Sequence, residues 1–433
     1  MAGKIINFIT KKPIAAIIAF CIISRLIIVL LYQNITIFPD SSGYIELAER
    51  IAGFNLKDYD GTRSPGYPIL LALSGNSLII TITLQFIIGI INAIYQYKTL
   101  RLLNFTTKTS VTLTVVFNCL LHVIFYETNI LTESLTLFFV TLVFYYTIKG
   151  INTEQKLKNS IILSLLIGFL VLVKPFYIFL PFLIYGFYTL KNFRFSNIIN
   201  IRIAVLIFPL VSFLGWSYVN KVNTGYFVST TFWGINIAQN CVYFAEKCPE
   251  EYKEIGDAYA DYRERIIAAD KDVAMTIWYA KPELMHITKL SSLPDFSAKL
   301  SQYSKATIKK NPLDYTKQVF VSWRDFWDTA IYWNYKKFKV PHANQGLVLI
   351  WYIQSFILYL IKVLFVLLIP YHLIQFLRKK EVNAVVVITT VIFAASLLQA
   401  MATYGTNSRF SYPFEFLMMV TILLTFGKKL KLT

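Results

Sequence analysis

Residues 14–32 read IAAIIAFCIISRLIIVLLY, an apolar run in which Ser24 and Arg25 are the strongly polar residues. A helix needs about 20 such residues to cross the ~30 Å hydrocarbon core of a bilayer. The run is not typical of a cleavable signal peptide, because it is too long, contains Arg25 and lacks a small-residue cleavage site. It therefore predicts a first membrane-spanning helix.

The composition of the whole chain agrees with this prediction. Of 433 residues, 56% are hydrophobic, 15% charged and 16% aromatic, and the mean hydropathy is +0.54. Soluble globular chains are roughly 45–50% apolar and about 25% charged. The composition excludes a disordered, collagenous or disulfide-scaffold protein and argues against a water-soluble enzyme. We therefore predict an integral membrane protein.

Ten apolar runs are candidates for membrane spans, so we predict an all-α polytopic protein with about ten transmembrane helices. The runs cover residues 14–32, 77–97, 110–126, 131–148, 159–173, 176–190, 201–219, 346–370, 383–402 and 412–427. The fifth and sixth runs are short and meet at Lys174 and Pro175. They form either two short spans or one re-entrant hairpin.

The formal net charge of +18 is distributed around these runs. Basic clusters flank the runs, which is typical of cytoplasmic membrane loops and not of a groove for nucleic acid, so we expect no nucleic-acid partner. The clusters are Lys4, Lys11 and Lys12; Lys98, Arg101 and Lys108; Lys149, Lys156 and Lys158; Lys191, Arg194 and Arg202; Arg378, Lys379 and Lys380; and Lys428, Lys429 and Lys431. Ten spans place all of them on one side, which predicts that both termini are cytoplasmic.

The long polar segment 221–345 separates the seventh and eighth runs and holds 17 Lys/Arg and 14 Asp/Glu. Its five tryptophans and its helix-like patterning predict a small, mostly helical extracytoplasmic domain that rests on the membrane, although residues 225–234 look extended. This segment divides the chain into an N-terminal transmembrane module, 1–220, and C-terminal transmembrane helices, 346–433.

Two cysteines of the predicted outer domain, Cys241 and Cys248, lie seven residues apart. In an oxidising compartment they would be able to close a small disulfide loop. Two free thiols are equally compatible with this spacing. Both alternatives stay open at the level of the sequence.

Acidic residues concentrate in the first outer loop, residues 33–76. Asp40 lies just past the first span, in the sequence FPDSSGY that covers residues 38–44. Asp40 or Ser41 could cap the helix that follows. Alternatively, a carboxylate fixed at the membrane surface is a general base for a hydroxyl group. The two roles are compatible, because a capping position holds a carboxylate rigidly.

Four other charged residues lie near the same end of the predicted bundle. Arg63 precedes the rigid turn 64–68 and either reaches lipid headgroups or pairs with a phosphate. Glu133 lies within an apolar run, where an acid is either a site residue or is hydrogen-bonded to a neighbouring helix. Lys174 has the same two interpretations, and Arg409 comes just before the last run.

The histidines do not indicate a metal site. His122 lies on an apolar face and is interpreted as a core residue, while His286 and His342 lack the spacing of metal ligands. Asp40 with a second outer acid would be able to hold a divalent ion, but no pattern specifies one. We therefore predict no cofactor.

These segments, in this order, resemble those of the GT-C integral-membrane glycosyltransferases, in particular the bacterial relatives of protein O-mannosyltransferase and lipid A aminoarabinose transferase. Each segment is a weak match alone, but the ordered set runs through nearly the whole chain. Asp40 stands alone where relatives carry an adjacent acidic pair, which weakens a metal-dependent mechanism. The matching segments are 39–44, 63–73, 129–135, Lys174 with Pro175, 226–236 and 408–413.

The resemblance implies a GT-C-like fold and the transfer of one sugar from a polyprenyl-phosphate donor, with inversion. The acceptor would be a glycan, lipid or protein on the periplasmic face of a bacterial inner membrane. Asp40 would be the general base, and Arg63, Lys174 and Arg409 would bind the donor phosphate. The remaining pocket residues would be Tyr44, Tyr67, Glu133 and Trp233.

Two alternative functions stay open. A polysaccharide ligase or polymerase also has many spans and a large outer loop, but uses a polyprenyl-diphosphate donor and basic residues in place of a carboxylate. A transporter or flippase for lipid-linked sugars is the second alternative, although such proteins often show duplicated halves and broken helices, and no duplication is visible here.

Overall fold

The computed structural model describes residues 10–152, 157–191, 201–330, 333–405 and 407–427. These residues fold into helices joined by turns. Within them there is no β-strand, and Thr36 and Asn129 form an isolated parallel bridge.

The described residues up to Thr224 form ten α-helices. They are α1 (Pro13–Tyr32), α2 (Pro39–Ala52), α3 (Gly66–Leu73), α4 (Leu78–Leu102), α5 (Thr107–Asn118), α6 (Leu121–Glu127), α7 (Glu133–Asn152), α8 (Leu157–Val173), α9 (Leu180–Lys191) and α10 (Ala204–Thr224). Short 3-10 helices cover Pro175–Phe179 and Ile201–Ile203.

The outer domain and the C-terminal part continue with α11 (Trp233–Gln239), α12 (Lys253–Ala268), α13 (Thr276–Thr288), α14 (Leu293–Lys310), α15 (Pro312–Phe326), α16 (Ala343–Lys379), α17 (Ala384–Ala402), α18 (Ser408–Ser411) and α19 (Glu415–Phe426). Between them lie 3-10 helices at Val242–Lys247, Glu250–Tyr252, Val273–Met275, Tyr335–Lys337 and Tyr412–Phe414.

Seven of the described helical segments are long and apolar enough to cross a membrane: α1, α4, α7, α10, α16, α17 and the continuous segment Ser408–Phe426. α5 and α6 together make an eighth if their 60° bend is a break within one span. α8 and α9 are shorter, with 17 and 12 residues. The all-helical membrane fold is confirmed, whereas the number of ten spans stays a prediction.

The predicted orientation also stays a prediction. Part of its basis lies outside the described residues, namely Lys4, Lys156, Arg194, Lys428, Lys429 and Lys431. The described members of the clusters, such as Lys98 and Arg101 at the end of α4, lie at helix ends as the pattern requires.

Helix α7 is the centre of the bundle. In the apolar window of α7, 72% of the residues are buried, compared with 28% in α1 and in α16. α7 packs mainly against α4 and α8. Because α7 begins at Glu133, this residue lies at the centre of the bundle's cross-section. It lies at the same end of the bundle as the start of α2, since Ser41 of α2 donates to the carbonyl of Ile130 just before α7.

Helices α11 to α15 form a unit with its own core, built from side chains such as Ile235, Tyr259 and Phe296. We keep the name outer domain for this unit, after its predicted location. Asn240 Nδ2 donates to the carbonyl groups of Ala400 and Met401 at the end of α17, each at 3.1 Å. The domain is therefore fixed to the bundle by direct hydrogen bonds.

One sequence interpretation of this domain needs correction, and the structure has the second of the two alternatives left open for its cysteines. Residues 225–234 form no strand, because their polar groups bond to the first outer loop and not to another extended segment. Cys241 and Cys248 are free, buried thiols. The sulfur of Cys241 lies near the carbonyls of Ile237 and Ser304, whereas that of Cys248 is directed at Tyr252.

Candidate active site

The first residue of the site is positioned by the start of α2. Pro39 opens this helix, and its ring fixes φ at a helical value. Ser41 Oγ accepts from the Phe38 amide at 2.9 Å and donates to the Ile130 carbonyl at 2.8 Å, which joins α2 to the loop before α7. Phe38, and neither Asp40 nor Ser41, is the N-cap residue, so the Asp40 carboxylate is free of the capping role.

Arg63 is positioned by a hydrogen-bonded loop. The Arg63 amide donates to the Tyr59 hydroxyl at 2.6 Å, and that hydroxyl donates to the Arg63 carbonyl at 3.0 Å. The guanidinium lies 4.9 Å from the ring centres of both Tyr44 and Phe232, a cation–π arrangement. Arg63 Nη2 donates to Asp40 Oδ1 at 2.9 Å.

The outer domain holds the same loop from the other side. The Thr231 amide donates to the Gly61 carbonyl, and the hydroxyls of Thr230 and Thr231 donate to the carbonyls of Thr62 and Asp60, both at 2.9 Å. Gly61 has φ +73°, and a Cβ there would lie 2.9 Å from the Thr231 methyl group. Glycine is therefore required both by the backbone conformation and by this close approach.

Arg409 connects the two acids of the site. Its Nη1 donates to Asp40 Oδ2 at 3.0 Å, and its Nε donates to Glu133 Oε1 at 2.8 Å. Lys174 Nζ donates to the same oxygen of Glu133 at 3.2 Å and lies 4.7 Å from the ring centre of Phe410. The five side chains form one chain of ion pairs, in the order Arg63, Asp40, Arg409, Glu133 and Lys174. We call it the five-charge cluster.

The members of the five-charge cluster differ in their access to solvent. Glu133 has no exposed side-chain surface, and Lys174, Arg409 and Arg63 expose between 12% and 16% of theirs. The Asp40 side chain is 37% exposed. A substrate that approaches the cluster therefore meets the Asp40 carboxylate more readily than the Glu133 carboxylate.

The electrostatic surroundings of Asp40 keep it ionised. Burial alone would raise the pKa of the carboxyl group, but the guanidinium groups of Arg63 and Arg409 more than offset this effect and hold the pKa below its ordinary value. Asp40 is therefore a carboxylate at neutral pH. A carboxylate is the form that accepts a proton.

The aromatic residues predicted for the pocket differ in their burial and in their contacts. Tyr44 packs edge-on against Tyr67, with ring centres 5.3 Å apart, and both are buried. Tyr67 donates from its hydroxyl to Gln85 Oε1 at 3.0 Å, which directs its polar end away from Arg63. Trp233 is 43% exposed at the start of α11, and its neighbour Phe232 is the ring that contacts Arg63.

Sequence reasoning missed Phe232, Phe410 and Tyr59. Phe232 and Phe410 are each adjacent in sequence to a residue that was predicted, Trp233 and Arg409. In an aromatic-rich chain no spacing singles them out, and only the positions of the two cations identify the rings that contact them.

Comparisons with known proteins identify no family for this chain. No family model matches it, and no curated protein sequence matches it. Among solved structures, the archaeal oligosaccharyltransferase AglB from Archaeoglobus fulgidus, in complex with an inhibitory peptide and a dolichol-phosphate, is similar with a TM-score of 0.45 and 11% identity, over 97% of this chain and 51% of that chain.

A second similar structure is the Archaeoglobus fulgidus oligosaccharyltransferase tethered by a disulfide bond to an acceptor peptide with the NVT sequon. Its TM-score is 0.42 at 12% identity, over 98% of this chain and 51% of that chain. The chain therefore spans about half the length of these two proteins.

Proposed function

We propose that this chain is a membrane glycosyltransferase that moves a single sugar from a polyprenyl-phosphate donor to an acceptor hydroxyl, with inversion at the anomeric carbon. The observation that carries the proposal is the five-charge cluster, because it combines an accessible carboxylate with three cations beside an apolar bundle. A lipid-linked sugar phosphate presents its reactive carbon at this kind of boundary.

The net charge of the cluster supports a monophosphate donor. Three cationic side chains and two carboxylates leave one net positive charge. A sugar phosphodiester carries one negative charge and would neutralise the cluster, whereas a diphosphate donor brings a second negative charge that the cluster does not balance. This difference favours the monosaccharide transferase over a ligase or polymerase with a diphosphate-linked donor.

The proposed reaction uses each member of the cluster in one role. The acceptor oxygen attacks the anomeric carbon while its proton passes to an Asp40 oxygen, and the bond from that carbon to the phosphate oxygen breaks. The bonding electrons remain on the polyprenyl phosphate, whose negative charge increases from one to two. Arg63, Arg409 and Lys174 stabilise this charge as it develops, which is the electrostatic contribution that catalysis depends on most.

Donor binding would also prepare the base. In the structure both guanidinium groups contact the Asp40 carboxylate, which lowers its affinity for a proton. A phosphate that draws Arg63 and Arg409 toward itself would partly release the carboxylate. We infer that Asp40 becomes a stronger base only when the donor is in place, which would limit reaction with water.

The surroundings of the reaction belong to the same proposal. We place the site on the periplasmic face of a bacterial inner membrane, with both termini in the cytoplasm. The acceptor is a glycan, lipid or protein that reaches Asp40 from the solvent side. Tyr44, Phe232 and Trp233 would line the sugar path, and Glu133 would orient Arg409 and Lys174.

The test is sugar transfer by purified protein in nanodiscs that contain a polyprenyl-phosphate sugar. Asp40→Asn removes the base but keeps the size of the side chain, so we expect transfer to fall by roughly 10²- to 10⁴-fold while donor binding is retained. The matched control is Glu46→Gln, which removes an acid from the exposed side of the same helix. We expect that control to keep the wild-type rate.

The alternatives predict other outcomes of this experiment. A wild-type rate in Asp40→Asn would contradict the general-base mechanism and favour a ligase that works with basic residues. Transfer that occurs only from a diphosphate-linked donor would also favour the ligase. Movement of the lipid-linked sugar across the bilayer without any transfer would support a flippase instead.

A further inference from the structure

The last helix of the outer domain, α15, lies beside the end of span α17. Near the start of α15, the Tyr315 hydroxyl donates to the Met401 carbonyl at 2.8 Å. Further along, Trp323 Nε1 donates to Ser396 Oγ at 2.9 Å. Five residues of a helix correspond to about 8 Å along its axis, so α15 descends by that order of distance along α17 between these two contacts.

Along this stretch α17 exposes apolar side chains. Leu397, Leu398 and Met401 are 37%, 41% and 48% exposed, and α17 is among the helices apolar enough to span a membrane. A bilayer that covers these side chains occupies the same height all around the protein. The side of α15 that points away from α17 therefore lies at the level of the outer part of the bilayer.

The residues on that side of α15 alternate between apolar and basic types. Leu313 is 77% exposed and Phe320 is 67% exposed, and between and beyond them lie the exposed Lys317 and Arg324. Spacings of four, three and four residues put all four on one face of the helix. The opposite face is formed by the buried residues Gln318, Ser322 and Phe326.

Acidic residues on α15 do not cancel this basic character completely. Asp314 pairs with Lys247 of the outer domain at 2.8 Å, and Asp325 pairs with Arg324 at 3.2 Å. Leu313 and Phe320 would be unfavourable in water, because each exposes a large apolar surface. An apolar face with flanking basic residues is typical of helices that lie in a membrane interface.

We propose that α15 is embedded in the outer leaflet as an interfacial helix, with Leu313 and Phe320 against acyl chains and Lys317 and Arg324 at the phosphate groups of anionic phospholipids. The occupant of this face is phospholipid, since the adjoining surface of α17 exposes Leu397, Leu398 and Met401 and belongs to a helix long and apolar enough to span a bilayer. Long basic side chains reach the phosphate level from a partly immersed helix. This inference does not depend on the proposed chemistry.

The depth of α15 is tested with spin labels on the full chain in nanodiscs. Cys119, the least buried native cysteine, is replaced by alanine throughout, and labels are attached at Phe320→Cys or Leu313→Cys. Leu398→Cys is the lipid-facing reference, and Glu264→Cys, at a side chain 65% exposed, is the water-facing reference. Relaxation by oxygen and by a water-soluble nickel chelate is measured for each label.

We expect the label at residue 320 to follow Leu398→Cys, with relaxation by oxygen several-fold stronger than by the nickel chelate. Labels at 313 and 320 that follow Glu264→Cys would overturn the proposal, because they would place α15 in water or under a soluble partner. Substitutions at exposed positions leave the helix packing intact, so either result is interpretable.

The phosphate contacts are tested with spin-labelled phosphatidylglycerol and phosphatidylcholine. Wild-type protein should immobilise more of the anionic lipid, and the double variant Lys317→Gln/Arg324→Gln should lose that preference. Arg265→Gln/Lys271→Gln removes two exposed positive charges elsewhere on the outer domain and is the matched control. An unchanged preference in the first double variant, or an equal loss in the control, would contradict the assigned headgroup contacts.

Discussion

Arg409 is the residue that makes the five-charge cluster continuous, because it contacts both carboxylates with different nitrogen atoms. A guanidinium has several donors in a fixed plane, whereas a lysine ammonium is a single point of charge. This geometry lets one side chain hold Asp40 and Glu133 at the same time. The role of Arg409 is therefore tied to its shape as well as to its charge.

We predict that Arg409→Lys lowers sugar transfer by roughly 10²-fold, because one ammonium cannot replace both contacts and the phosphate loses an aligned donor. The measurement is the rate of transfer at saturating donor. Arg50→Lys changes a half-buried arginine that pairs with Glu46 outside the five-charge cluster, and we expect it to retain activity. Comparable losses of transfer rate in both variants would contradict the role assigned to Arg409.

The lowered pKa of Asp40 gives a pH prediction. A carboxyl group whose folded pKa lies below its ordinary value of 3.8 is ionised above that value and loses its favourable interactions only as the pH falls through the folded pKa. We therefore expect no loss of transfer rate from protonation of Asp40 anywhere between about pH 5 and pH 8. The measurement is the pH dependence of kcat/KM for the donor, because this ratio reports the pKa of the donor-free enzyme, in which both guanidinium groups contact Asp40.

Arg63→Gln is the comparison for this pH prediction. Arg63→Gln removes the larger of the two charge interactions that lower the pKa of Asp40, so the acidic limb of the profile should move to higher pH. A wild-type profile with an acidic limb above pH 5 that disappears in Asp40→Asn would contradict the pKa assigned here.

At the scale of secondary structure, buried ion pairs fix the helices that carry the site. Glu415, at the start of α19, contacts Lys362 Nζ at 2.9 Å and His122 Nε2 at 2.6 Å, and all three side chains are at least 96% buried. Lys362 also donates to Ser411 Oγ at 2.8 Å and to the Asp328 carbonyl at 2.7 Å. These contacts anchor the segment 408–415, which includes Arg409.

We predict that Lys362→Met destabilises the protein by about 3–5 kcal/mol, because it leaves the buried Glu415 carboxylate without its cation. Thermal unfolding in a fixed detergent is the measurement, and Lys362→Met/Glu415→Gln should recover part of the loss. Lys253→Met breaks an exposed pair with Asp257 and should leave the unfolding temperature nearly unchanged, because solvent screens this pair. Equal effects of the two single substitutions would refute the anchoring role.

A second buried pair depends on a glycine. Arg25 Nη2 of α1 donates to Glu127 Oε1 of α6 at 2.6 Å, and a Cβ at residue 89 would overlap that carboxylate oxygen. Gly89→Ala would therefore separate the pair, and we expect a loss of about 3–5 kcal/mol in unfolding free energy. The same measurement on Gly215→Ala, a helical position with open space around it, should show no loss.

At the scale of the whole molecule, the predicted topology is testable by labelling. We expect a cysteine at Glu264 to react with an impermeant maleimide added outside spheroplasts, because the outer domain and Asp40 lie at the same end of the bundle. A cysteine at Lys108, in the first turn of α5, should react only after permeabilisation. Labelling of both residues from one side would contradict the orientation.

The sequence was informative about the charged residues at one end of the predicted bundle. Glu133 and Lys174 were recognised because a charge at membrane depth is costly, and Asp40, Arg63 and Arg409 because they lie beside the ends of apolar runs. The structure brings all five together. Their pairing was not predictable, since nothing in the local sequence states that residues 40 and 409 meet.

The sequence was less informative where the determining contact is between distant segments. It did not indicate that the ring beside Arg63 is Phe232 and not Trp233. It also did not indicate that Glu127 and Glu415 pair with buried cations, because hydropathy identifies no partner for an acid. Residues 225–234 have strand-like composition but bond to the loop that holds Arg63. Tertiary contacts of this kind override the local pattern.

The contact between Asp40 and Arg409 joins positions 369 residues apart. During synthesis, Asp40 is made 369 residues before Arg409. A nascent chain that has not reached residue 409 therefore holds Asp40 and Glu133 without the guanidinium that bridges them. Under the proposed mechanism, termination upstream of residue 409 would leave a polypeptide that transfers no sugar.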